Sequence, residues 1–240
     1  MVLIKNNMNS ILWLNFLNAV IWIVIFFSLK VLSPAAFSCL FLGAIPINLF
    51  ILELRKSKAT YKKNFTTAFL LLTTFLLMLL LVYQEVNEVN LFQILKYGII
   101  VTVIGGMVAA FIMKISKELA TKNLSATLVV SLRFYGLLVI SLLFIIWNST
   151  RITINPIVLA EFSVLALISM AFPLFLLQKA LKTLNLLYTS IIITTIPILT
   201  YFLQLFSGYY LFSYTKLGIT ILFSFCLIIL NYLNKRDNST

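Results

Sequence analysis

Apolar runs long enough to cross a bilayer recur from one end of this 240-residue chain to the other. That recurrence constrains the fold more than any motif does. Inside a hydrocarbon layer a backbone N–H or C=O finds no water, so each spanning segment must satisfy its own polar groups, which an α-helix does. The runs fall at about 11–32, 36–54, 65–83, 91–113, 125–147, 157–178, 185–207 and 214–233, each near the twenty or so residues that a helical span needs. Composition agrees: 62% of residues are hydrophobic and 10% charged, against about half and about a quarter in a soluble domain. The fold class expected is an all-α polytopic membrane protein of about eight transmembrane helices.

The first run, Ile11 to Leu29 after Lys5, reads as the first helix rather than a cleaved leader, although "SPAAFS" follows it with small residues. It carries Asn15, Asn18 and two tryptophans, is long enough to span, and further spans come after it.

A net charge of +12 would suggest a nucleic-acid partner in a soluble protein, but here the basic residues sort by loop. With a cytoplasmic N-terminus, thirteen fall inside: Lys5; Arg55, Lys56, Lys58, Lys62 and Lys63; Lys114, Lys117 and Lys122; Lys179 and Lys182; Lys235 and Arg236. Four fall outside, Lys30, Lys96, Arg151 and Lys216. This is the positive-inside pattern, so the lipid bilayer is the expected partner, no nucleic acid is expected, and both termini are expected in the cytoplasm. A composition rich in Ile, Leu, Phe, Lys and Asn points to an AT-rich bacterial genome and hence to a bacterial cytoplasmic (inner) membrane. Cys39 and Cys226 fall inside spans without paired spacing and read as small packing residues.

Two segments share a pattern: "LKVLSPAAFSCLFLGAIPIN" from Leu29 and "LKTLNLLYTSIIITTIPIL" from Leu181. Each has Leu-Lys-x-Leu, a polar helix start, and an Ile-Pro-Ile whose prolines are Pro46 and Pro197. Lys30 sits outside and Lys182 inside, so the two copies run in opposite directions. That is an inverted-topology repeat, an architecture shared by many secondary transporters. A second alignment, "LSPAAF" with "LSATLV", relates different helices. The first divides the chain into a three-helix partial repeat at 11–83 and a five-helix repeat at 91–233, in one membrane domain.

From Phe172 onward the chain resembles the drug/metabolite transporter superfamily in its EamA-type form. "QKALKTLNLLYTS" looks like the family's short turn between its eighth and ninth helices, and "TTIPILTYF" like the ninth with its proline. Gly208, Ser213 and Gly218 stand near the family's glycine and serine positions, and "SLRF" resembles an arginine-aromatic pair in its seventh helix. The family has ten helices in two inverted five-helix repeats. Matching Pro46 to Pro197 implies that the first two are lacking here, by loss or because the chain starts at an internal methionine. Where many members carry glutamates, this chain has Ile196, Tyr209 and Tyr210, so proton coupling through those acids is not implied.

Among the polar residues within spans, Arg133 stands about 12 Å deep at 1.5 Å per residue. It would hold an anionic group of a substrate, or else tie its helix to backbone carbonyls or lipid phosphate. Glu161 reads as an acid in the first turn after Pro156, interacting with the helix dipole. Asn15, Asn18 and Trp22 share one helix face, suited to lining a cavity for a small-molecule substrate or to hydrogen bonding between helices. Gly105, Gly106 and Gly136 permit close helix approach. Pro46, Pro173 and Pro197 would permit bending. Tyr209, Tyr210, Tyr214 and Trp147 read as an interfacial belt. No histidine, paired intramembrane carboxylates, phosphate loop or metal-ligand cluster stands in the sequence. An enzyme, a metal site and a cofactor are therefore not expected. The functional expectation is a secondary carrier of a small metabolite working by alternating access. The alternative is a non-transporting partner subunit or scaffold built on the same helices, with homodimerisation closing a side left open by the lacking helices.

Overall fold

The computed structural model describes residues 7–54, 61–86, 94–122, 124–148, 155–210 and 212–236. Among these residues it contains helices and no strand. The helices are α1 Met8–Leu29, α2 Pro34–Leu54, α3 Tyr61–Val86, α4 Ile100–Thr121, α5 Ala126–Leu132, α6 Tyr135–Asn148, α7 Pro156–Ala166, α8 Phe172–Thr183, α9 Leu186–Ile193, α10 Ile196–Leu205 and α11 Tyr214–Arg236. A π-turn at Ile94–Ile99 leads into α4, and another at Leu167–Ala171 joins α7 to α8. Lys5, Arg55, Lys56, Lys58 and Arg151, on which the loop-charge pattern partly rests, lie outside the described residues.

Among the described residues six helical stretches are long and apolar enough to cross a membrane: Met8–Leu29, Pro34–Leu52, Tyr97–Thr121, Ala126–Trp147, Pro156–Thr183 and Leu186–Leu205. α3 and α11 coincide with the other two expected spans, but their apolar stretches, Ala68–Leu81 and Tyr214–Cys226, are shorter. From residue 155 to 170 every residue is exposed, among them Leu159, Phe162, Leu165 and Ile168. A predominantly apolar surface of that length is suited to lipid. This is a membrane-embedded, multi-pass helical protein.

The helix starts follow from local chemistry. Ser125, Asn155 and Asn185 hold extended backbones and accept from the N–H groups of Leu128, Ile157 and Leu187. Ser33 does the same for Ala36. Each satisfies a donor that the first helical turn leaves without an intrahelical partner. The expected single helices at 125–147 and 185–207 are both interrupted, the first at Arg133–Phe134 and the second at Thr194–Thr195. The second break is two residues before Pro197, whose ring removes a donor and crowds the preceding turn. Pro173 follows a π-turn, in which the Phe172 N–H reaches back to Leu167 C=O. Pro46 lies within an uninterrupted α2.

The chain divides into two compact units, one of Met1–Trp22 with Phe111–Leu184 and the other of Ile23–Ala110 with Asn185–Thr240. Each takes helices from both expected repeats. In the first, α8 packs on α5 around buried Val129 and Leu181. Gln178 Nε2 donates to Ser116 C=O at 3.0 Å, and Lys117 Nζ donates to Leu184 C=O at 2.6 Å, just past the end of α8.

In the second unit, α2 packs on α3, α9 and α10; α11 packs on α3, α9 and α10. The Ala35 N–H donates to buried Gln204 Oε1 at 3.1 Å, so α2 starts where α10 ends. Tyr201, fully buried, donates its hydroxyl to Ser213 C=O at 2.9 Å and accepts from the Ser213 N–H at 3.2 Å. That clasp closes the turn in which Gly208 takes a positive φ of 72°. Gly105 and Gly106 bring α4 against its neighbours: a methyl at Gly106 would collide with the Phe41 carbonyl and Ala44 Cβ.

The Gly106 contact is with backbone, which cannot rotate aside. Gly106→Ala is expected to destabilise the detergent-solubilised protein by about 1–3 kcal/mol, the usual range for overpacking, measured by thermal unfolding. Gly218→Ala, where nothing lies within 4 Å, is expected to leave the transition unchanged or slightly raised.

Candidate functional site

The break between α5 and α6 is where a polar residue and an interrupted backbone coincide. In a continuous helix the Gly136 N–H would bond Leu132 C=O, and Arg133 C=O would receive the Leu137 N–H. Here α1 supplies the partners. Asn15 Nδ2 donates to Leu132 C=O at 2.7 Å and to Ile11 C=O at 3.0 Å, while Asn15 Oδ1 accepts from the Gly136 N–H at 2.9 Å. One side-chain amide thus stands in for the missing helical bond. Asn18 Nδ2 donates to Arg133 C=O at 3.1 Å. Gly136 eases this close approach, since a Cβ there would lie 3.2 Å from Asn15 O and 3.3 Å from Asn15 Cβ.

Arg133 is itself buried, with 8% of its surface exposed. Its Nε–H donates to Asn18 Oδ1 at 3.2 Å, completing a two-way link with that amide, and its guanidinium carbon lies 5.9 Å from the Phe134 ring centroid. Asn18 is neutral, so this link leaves the arginine's charge unbalanced. A permanent charge at that depth calls for an anionic or carbonyl partner.

Of the residues that the sequence singled out, Arg133, Asn15 and Asn18 come together at this break. Asn15 and Asn18 direct their amides at backbone, the bonding between helices that was one of the two expected uses of that face. Trp22 lies a turn further along α1, half-buried. A recess of about 380 Å³ lined by Asn9, Leu12, Trp13 and Phe16 sits on the other side of α1. Pro173 belongs to the same unit as Arg133, whereas Pro46 and Pro197 belong to the second unit. Glu161 is corrected: α7 starts at Pro156, which puts this exposed acid in the second turn, beyond the first turn where the dipole acts.

Sequence reasoning missed the α5–α6 break. Its signals were the arginine within an apolar run and the glycine three residues later. Gln178, Lys117 and Gln204, each bonded to backbone of another element, were also missed, because a single polar side chain in a span says nothing of which backbone group it meets.

Comparison with family models, with curated proteins and with solved structures finds no match to this chain.

If Asn15 bridges the break, Asn15→Leu leaves a part-buried carbonyl and a part-buried N–H without partners. The expected loss is about 1–3 kcal/mol of stability, read from thermal or denaturant unfolding in detergent. A residue that merely lined a cavity would show no such loss.

Proposed function

We propose that this protein is a secondary carrier of a small anionic metabolite, of the drug/metabolite transporter type, working by alternating access in a bacterial cytoplasmic membrane. The observation that carries this reading is Arg133. It is a buried cation at an interrupted membrane helix, held by a neutral amide, and it needs an anion that none of its described neighbours provides. Transporters place substrate groups at such interruptions, where backbone and side chains converge away from lipid.

The inverted repeat and eight spans belong to the same proposal. In the second unit, exchanging α2 with α9–α10 and α3 with α11 carries the α2–α3 pairing onto that of α9–α10 with α11 and leaves the other pairings in place. A two-fold axis relating the repeats would produce that pattern, and the antiparallel meeting of the α2 start with the α10 end is what inversion requires. With α3 and α11 counted as spans, both termini lie on one side, the cytoplasmic side by loop charge.

A second reading rests on α7, exposed along its whole length. It has the chain as a non-transporting partner subunit or a homodimer that packs through this face. That reading expects no solute flux and a defined complex in gentle detergent, disrupted by polar substitutions at Phe162 and Leu165.

The test of the carrier is uptake of labelled organic anions into proteoliposomes. Arg133→Leu is expected to lower uptake roughly ten- to hundredfold, as loss of a charged hydrogen bond worth about 1.5–3 kcal/mol implies, while the protein remains folded in the membrane. Uptake unaltered by that change would remove Arg133 from the site.

A further inference from the structure

The arrangement around Arg133 narrows the chemistry of its ligand. A guanidinium carries five N–H donors on a rigid planar fork. It has two kinds of edge for a two-oxygen partner: side-on, using Nε and one Nη, and end-on, using both Nη groups. The Nε–H of Arg133 is given to Asn18 Oδ1, so the side-on edge is taken.

The two Nη groups make no hydrogen bond to any described residue. They are not sealed off either, since Ser28 Oγ is the single fully buried polar side-chain atom without a partner among the described residues. The end-on edge therefore carries no hydrogen bond from the described residues, on a side chain that is more than nine-tenths buried. Two parallel N–H donors at that edge match the two oxygens of a carboxylate.

Charge argues against the dianionic oxyanions. Arg133 is the one Lys or Arg between Lys122 and Arg151. The groups described around it are the neutral Asn15 and Asn18 and the Phe134 ring. Lys117, the cation of the same unit with a described bond, has its ammonium on Leu184 C=O. One positive charge balances one negative charge. A phosphate or sulfate dianion would carry a second charge into a buried site with nothing to offset it, at a large desolvation cost.

We propose that Arg133 binds the carboxylate of a small monocarboxylic acid end-on through its two Nη groups, with Asn18 as the positioning residue that holds Nε. This rests on the carrier reading for its physiological meaning. Asn18 can do this because its amide is oriented: Nδ2 is on Arg133 C=O, which turns Oδ1 toward Nε. An aspartate at 18 would keep the size but lose that donor and set a competing carboxylate against the guanidinium.

The experiment uses the full-length protein in a non-ionic detergent, with thermal unfolding as the readout of ligand binding. The probes are propionate, pyruvate and benzoate, each beside its uncharged amide, with inorganic phosphate and sulfate at matched ionic strength. At least one acid is expected to raise the midpoint, while its amide, phosphate and sulfate do not. Arg133→Lys keeps the charge without the fork, and it is expected to need about tenfold or more acid for the same shift, about 1.4 kcal/mol. Asn18→Asp is expected to weaken the acid response as much, with Asn18→Thr substituting where the aspartate variant does not fold. The proposal is overturned if no acid shifts the midpoint, if phosphate or the amides act as well as the acids, or if Arg133→Lys responds like the native protein. Acid binding without flux in liposomes would uphold the proposal and remove the carrier. Flux of a neutral solute that Arg133→Lys leaves untouched would uphold the carrier and remove the proposal.

Discussion

In a hydrocarbon layer every peptide N–H and C=O has to find its partner within the protein, and this molecule is organised around the places where its helices do not supply one. Among the described residues these are two breaks, at Arg133–Phe134 and Thr194–Thr195, and two π-turns, at Ile94–Ile99 and Leu167–Ala171. The breaks are mended differently. At Thr194–Thr195 the hydroxyls bond carbonyls of their own helix, Ile191 and Ile192, three residues back. At Arg133–Phe134 the amides come from α1, more than a hundred residues away in sequence.

That difference has consequences for what each break can do. A break mended from within its own helix is independent of its neighbours. A break mended by another helix makes the relative placement of the two helices part of the backbone's own hydrogen bonding, so α5, α6 and α1 are held in one geometry. Arg133 sits at the centre of that geometry, with its backbone carbonyl and its Nε both on Asn18. The same amide thus fixes the helix and aims the guanidinium. Among the described residues no acidic side chain pairs with its charge.

The coarse fold was legible because hydrophobic length is a one-dimensional property. The runs at 11–32, 36–54, 91–113, 125–147, 157–178 and 185–207 each contain or overlap a stretch long and apolar enough to cross a membrane. The caps were legible too, since Ser and Asn at the helix starts act on their own next turn. Indeed the Lys-x-Leu-Ser/Asn pattern before α2, α5 and α9 is explained by capping in all three places. Its recurrence alone therefore does not choose between the two repeat alignments. Asn15 and Asn18 were legible as a polar face and not as a clamp, because their partners are backbone groups freed by a break, and the arginine and glycine that signal it do not say which groups are freed.

The most direct measurement is of Arg133 itself. With arginine as the single ¹⁵N-labelled residue type the chain contributes four side chains, Arg55, Arg133, Arg151 and Arg236, and Arg133→Lys assigns the one of interest. If Asn18 holds Nε and the fork stands open, the Arg133 Nε–H exchanges slowly with water in the ligand-free protein. The Nη signals, in contrast, exchange fast and sharpen and shift only when a carboxylate is added. An Nε–H that exchanges like those of exposed arginines, or Nη groups already protected without ligand, would contradict both the clamp and the open site.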